Sequence, residues 1–136
     1  MHRLFAITLC VLAVSCERGP SATQSVAPGQ IDPASLPYVG KVWLSADFAK
    51  PKGTIRIFLP DGTLVMDSCW ETYQLAKWRA ESDSVVSWQE GPAEIRATVV
   101  ELAGETLVLR LDLVDGSQEE HFRAASVPYL CPDMRR

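Results

Sequence analysis

Residues 94–125 read EIRATVVELAGETLVLRLDLVDGSQEEHFRAA, and this stretch decides the fold. Ile95, Ala97 and Val99 alternate with Arg96 and Thr98, up to a turn at Ala103-Gly104-Glu105. From Thr106 to Val114 the alternation returns, with Leu107, Leu109, Leu111 and Leu113 on one face and Arg110 and Asp112 on the other. Asp115-Gly116 breaks it again before Gln118 to Ala125. A period of two places alternate side chains on opposite faces of a strand, and a glycine in a short connection tolerates positive φ. The stretch therefore predicts three antiparallel strands joined by tight turns.

The same texture extends upstream. Val39 to Asp47 carries Val42, Trp43 and Leu44 and ends at Lys50-Pro51-Lys52-Gly53. Thr54 to Leu59 alternates with Ile55, Ile57 and Leu59 on one face, Pro60-Asp61-Gly62 turns the chain, and Thr63 to Cys69 follows. Tyr73 to Arg79 and Val85 to Glu90 form a further hairpin around Glu81-Ser82-Asp83, and Gly91-Pro92 separates it from the strand at Glu94. Glu71 to Ala80 also fits a helical turn and a half through Tyr73, Leu75, Ala76 and Arg79. It is read as strand because strand and turn alternate on both sides of it. The count is about eight strands, so the expected fold is all-β: an antiparallel up-and-down meander able to close into a barrel and remove both sheet edges.

The chain has 136 residues, 47% of them apolar and 22% charged, with a formal charge of −4. This is the composition of one small globular domain. An acidic chain of this size is a poor nucleic-acid binder, because phosphate contacts need clustered Lys and Arg. Met1-His2-Arg3 precedes the apolar run LFAITLCVLAV, Leu4 to Val14, whose roughly 16 Å as a helix is about half a bilayer core. A basic start, a short apolar run and small residues after it describe a secretory signal. The run ends Leu12-Ala13-Val14-Ser15-Cys16, which resembles the lipobox of bacterial lipoproteins. An ordinary signal cut near Ala13-Val14-Ser15 is the alternative.

The lipobox resemblance implies cleavage after residue 15, acylation of the Cys16 thiol and a periplasm-facing lipid anchor in the bacterial cell envelope. Two or three acyl chains anchor stably where one does not. Glu17 stands where an Asp favours inner-membrane retention in enterobacterial members, so the resemblance points to the outer membrane. Residues 17–37, ERGPSATQSVAPGQIDPASLP, hold four prolines and no apolar period. They read as a disordered spacer between the lipidated Cys16 and a domain over 38–136.

Gly40-Lys41-Val42-Trp43 on the first strand resembles the Gly-x-Trp opening of lipocalins, with one residue more between Gly and Trp. Phe58-Leu59-Pro60-Asp61-Gly62-Thr63 resembles the hairpin between their second and third strands. Together they liken residues 38–125 to the small lipocalin-like barrels of the calycin group. That resemblance implies a last-strand arginine, here Arg123, stacked over Trp43.

Signal removal and acylation leave Cys69 and Cys131, which read as one disulfide in an oxidising periplasm. The competing reading makes Cys69 a nucleophile with His121 as its base, and no spacing favours it. Once His2 leaves with the signal, His121 is the one histidine left, and a multi-histidine metal site is excluded. No Gly-rich phosphate loop, Gly-x-Ser-x-Gly elbow, Ser-x-x-Lys or Cys-x-x-Cys occurs, so no catalytic residue and no cofactor is implied. Trp43, Trp78 and Trp88, with Arg123, are the candidate ligand-binding residues. An eight-stranded barrel has room for side chains alone or for one small ligand. Two readings follow: a non-enzymatic binding module for a small apolar or amphipathic ligand, or an envelope interaction protein with a filled barrel.

Cys16→Ser is expected to release the protein into the soluble periplasm or to block its processing. Fractionation with a carbonate wash checks this. Processed mutant protein that stays with membranes contradicts the anchor.

Overall fold

The computed structural model describes residues 31–131; the signal segment, Cys16, spacer residues 17–30 and residues 132–136 lie outside the described residues. The described chain forms strands β1 (Trp43–Ser45), β2 (Ile55–Phe58), β3 (Thr63–Asp67), β4 (Gln74–Ser82), β5 (Val85–Glu90), β6 (Ala93–Ala103), β7 (Thr106–Leu113) and β8 (Gly116–Ala124). Each pairs antiparallel with its successor and β8 returns to β1, closing an eight-stranded barrel. The all-β, up-and-down expectation is met. Of the ambiguous stretch Glu71 to Ala80, residues 74–80 enter β4, because β3 and β5 offer strand partners on both sides, and 71–73 stay in the preceding loop.

Turn chemistry and two bulges set which side chains point inward. Gly62 holds φ 79°, and Asp61 Oδ1 accepts from the Thr63 N–H at 2.9 Å, which together tighten the β2–β3 turn. A bulge between Val99 and Glu101 lets Val99 face Leu109 and Leu102 face Leu107, and turns Val100 out to solvent. The inward set is Trp43, Phe58, Leu64, Trp78, Val86, Trp88, Ala97, Leu107, Leu109, Leu111 and Phe122, all buried.

Three local expectations change. The first strand is three residues long rather than nine, because Gly40 at φ 75° turns the chain and Trp43 Nε1 donates back to the Tyr38 carbonyl at 2.8 Å. On β2 the shared face of Ile55 and Ile57 is the outer one, and Arg56 and Phe58 point in, opposite Met66 and Leu64. Residues 31–37, read as spacer, belong to the folded unit. A 3₁₀ turn at Pro33–Ser35 is capped by Asp32, whose Oδ1 accepts from the Ala34 N–H at 2.9 Å. It carries Leu36 and Tyr38 into the core, and Ile31 packs against the same cluster. Prolines and polar residues surround these apolar side chains, but burial of the side chains fixes the segment.

In such a barrel all odd-to-even connections share one end. Here these are loops 46–54 and 68–73 with the short turns at 91–92 and 114–115, and we call this end the rim. The chain enters at the opposite end, the base, where Leu36 and Tyr38 close the barrel. A C-terminal strap, residues 125–131, leaves the base and ends at the rim. The Ala125 N–H donates to Val42 O at 2.8 Å, and Cys131 is bonded to Cys69 with Cα atoms 5.6 Å apart. The expected disulfide is present. Gly53, at φ 73°, lies so close beneath it that a Cβ there would overlap Cys69 Sγ.

The bond closes a loop with a sequence separation of 62, so Cys69→Ala with Cys131→Ala is expected to cost up to about 4 kcal/mol in urea unfolding. Gly53→Ala should raise the free-thiol content of oxidised protein, through strain at positive φ and overlap with the sulfur. Unchanged stability and thiol content in both variants would contradict this account of the strap.

Candidate functional site

The barrel interior is filled by interlocking rings. Tyr38 and Phe58 meet edge to face at 5.6 Å, Phe58 and Trp78 at 5.3 Å, and Phe58 and Trp88 at 6.4 Å. Such geometries favour the ring quadrupoles and add to the area buried. The indole N–H groups find acceptors within the protein. Besides the Trp43 bond, Trp78 Nε1 donates to Leu59 O at 2.9 Å and Trp88 Nε1 to Glu90 Oε1 at 2.7 Å. Burial raises the Tyr38 phenol to about 12, with a smaller push from Asp83, and its hydroxyl has no partner among the described residues.

Of the residues singled out in the sequence, Trp43, Trp78 and Trp88 lie together in this core, exposed by 0%, 5% and 1%. Arg123 does not join them. Ladder pairing sets Trp43 opposite Ala124 and Leu44 opposite Arg123, so Arg123 shares the outer face with Leu44 and is exposed. The stacked Arg123–Trp43 pair is therefore corrected: β1 and β8 meet, but one residue of register puts the guanidinium outside. The cation over Trp43 is Lys41, with Nζ 5.5 Å from the ring centroid. Cys69 is held in its disulfide and is not a free nucleophile. His121 is on the outer surface, with Nε2 3.7 Å from Glu119 Oε2.

A guanidinium does sit on the aromatic core, and sequence reasoning missed it. Arg56 Cζ lies 4.9 Å from the Trp88 ring centroid and 5.6 Å from that of Phe122. Its Nη2 is 2.8 Å from Glu120 Oε2, and Lys50 Nζ is 3.2 Å from Glu120 Oε1. The Arg56 and Glu120 side chains are only 11% and 9% exposed. Burial pulls the Arg56 pKa down, and the carboxylates of Glu120 and Glu90 oppose that fall. Arg56 Nη1 has no hydrogen-bond partner among the described residues. A lone arginine in an alternating strand reads as solvent-facing; the matching signal, an acid on a strand some sixty residues away, needs the barrel to be seen.

The pair sits at the rim, beside a cleft of about 140 Å³ lined by Thr54, Arg56, Met66, Thr72 and Gln74. A larger cleft of about 430 Å³ lies outside the barrel, between the strap residues Ser126, Pro128, Tyr129 and Leu130 and the outer side chains Leu44 and Arg123. Among the described residues no three His, Cys, Asp or Glu side chains are placed to hold a metal ion. Comparison with protein-family models, with curated proteins and with solved structures found no match for this chain.

Arg56→Met leaves Glu120 buried beside Lys50 alone and is expected to cost about 3 kcal/mol in denaturant unfolding. Adding Glu120→Leu to Arg56→Met should recover most of that loss. Arg123→Ala should move stability by less than about 0.5 kcal/mol. A large Arg123 effect with a small Arg56 effect would reverse the assignment.

Proposed function

We propose that this chain is a lipid-anchored protein of the bacterial cell envelope whose barrel binds through its outer surface, not by enclosing a small molecule. Cys16 carries the anchor in this reading, and another envelope component is the partner. The observation that supports it is the filled interior. Rings and leucines occupy the space a lumenal ligand needs, and Leu36 and Tyr38 close the base. An apolar ligand would have to displace side chains that are already buried, with no new apolar surface removed from water. The role is non-enzymatic, and a rigid scaffold suits it, since exposed loops can vary without disturbing the core.

Titration with a neutral apolar fluorophore such as phenylnaphthylamine tests this. Wild type is expected to show no saturable binding. Leu109→Ala, which removes an inward side chain that is 1% exposed, should cost about 2–5 kcal/mol and admit a benzene-sized guest. Stoichiometric dye binding by wild type, with quenching of the buried indoles, would overturn the outer-surface reading in favour of a lumenal ligand.

A further inference from the structure

The large apolar side chains left in water are not spread evenly. Phe48 is 104% exposed, Val114 104%, Trp70 65% and Tyr73 59%. All four lie on the odd-to-even connections, and these gather at the rim. Since β1 pairs with β8 and with β2, the Phe48 loop stands between the Val114 turn and the loop of Trp70 and Tyr73. Leu130, 62% exposed, is brought to the same end by the neighbouring disulfide. The base buries Leu36 and Tyr38, and Val127, 72% exposed, stands beside the 104–105 turn where the strap leaves it.

We propose that the rim dips into the interfacial layer of an uncharged or zwitterionic bilayer, with Phe48, Trp70 and Val114 as the inserting side chains. Phe48 and Val114 protrude singly from separate tips, as suits a fluid interface that closes around each, whereas a protein partner needs a continuous shaped patch. Trp and Tyr are the side chains that favour the headgroup layer, an apolar ring below and a polar atom in water. Charge selects the lipid. The rim connections hold Asp47, Glu71 and Asp115 against Lys50 and Lys52, and Lys50 is paired with Glu120. That balance gives no attraction to anionic headgroups, which recruit clustered Lys and Arg.

Reach permits the pose. Fourteen residues separate Cys16 from Ile31, and the fifteen Cα-to-Cα steps reach about 50 Å when extended, against a barrel roughly 28 Å tall for its longest strand of 11 residues. An anchored chain entering at the base can therefore lay its rim on the same membrane. The anchor keeps the rim at high local concentration, so weak insertion suffices to orient the barrel. The base and flanks then face the partner, and to this extent the inference rests on the anchored, outward-binding reading.

The test uses the mature polypeptide from residue 16 carrying Cys16→Ser, so that no acyl chain contributes, with phosphatidylcholine vesicles. Trp70 is the reporter, because Trp43, Trp78 and Trp88 are buried. The expected result is co-flotation with a blue shift of emission and quenching by acyl-brominated phosphatidylcholine, all spectral change being lost in Trp70→Phe. Phe48→Ser with Val114→Ser should lower the partition coefficient at least about tenfold while near-UV circular dichroism stays native. Adding phosphatidylglycerol should alter binding less than about twofold. No flotation and no shift would overturn the inference, as would binding that needs anionic lipid. Self-association that Phe48→Ser abolishes would overturn it too, by assigning the rim to a second copy. The anchor and the filled interior are judged separately, by the Cys16 fractionation and the dye titration.

Discussion

The barrel depends on a first strand only three residues long. β1 must join β8 through Trp43–Ala124, Leu44–Arg123 and Ser45–Phe122, and β2 through two pairs. Beyond Ser45, toward the rim, β2 and β8 have no strand between them. Arg56 from β2 and Lys50 from the middle of the β1–β2 loop reach Glu120 of β8 across that gap, on a floor made by Trp88 and Phe122. A buried ion pair adds little net stability over apolar residues, but it penalises misregistered closure. A one-residue slip of β8 would turn Glu120 outward and leave Arg56 charged and alone inside.

The closure shapes what the molecule can do. Arg56 roofs the aromatic column at the rim, Tyr38 and Leu36 plug it at the base, and the strap is stapled across one flank. With the interior occupied, the proposed recognition falls to the surface, and the two ends differ in character. Phe48, Trp70, Tyr73, Val114 and Leu130 are exposed at the rim, whereas the base buries Leu36 and Tyr38 and exposes Val127. In the proposed membrane pose the apolar rim would orient the tethered barrel, and that orientation would decide which surfaces a partner meets.

Strand order was legible because β6, β7 and β8 alternate cleanly and are separated by glycine turns. The Cys69–Cys131 pair could be reasoned out from the oxidising compartment that the signal-like N-terminus leads one to expect. Side-chain direction on the short strands was not legible. Ile55 and Ile57 look like a core face, yet Phe58 and the hidden arginine take the interior. The reason is long-range: Arg56 finds its compensation in Glu120, and no local pattern encodes that partnership. The domain start was misplaced for a similar reason. Leu36 is one apolar residue among prolines, and its 5% exposure comes from a barrel end assembled by strands far along the chain. Arg123 shows how little separates two outcomes, since a shift of one residue would have carried it inside.

Native-state hydrogen exchange at the β1–β8 seam tests closure most directly. The Ala46 N–H donates to His121 O and the Ala125 N–H to Val42 O, each at 2.8 Å, and both bonds exist only when the first and last strands meet. A closed barrel predicts that these amides are protected nearly as strongly as those joining β6 to β7, exchanging only through global unfolding. Rapid exchange at both, with β6 and β7 still protected, would show an open sheet and contradict the closed, filled barrel.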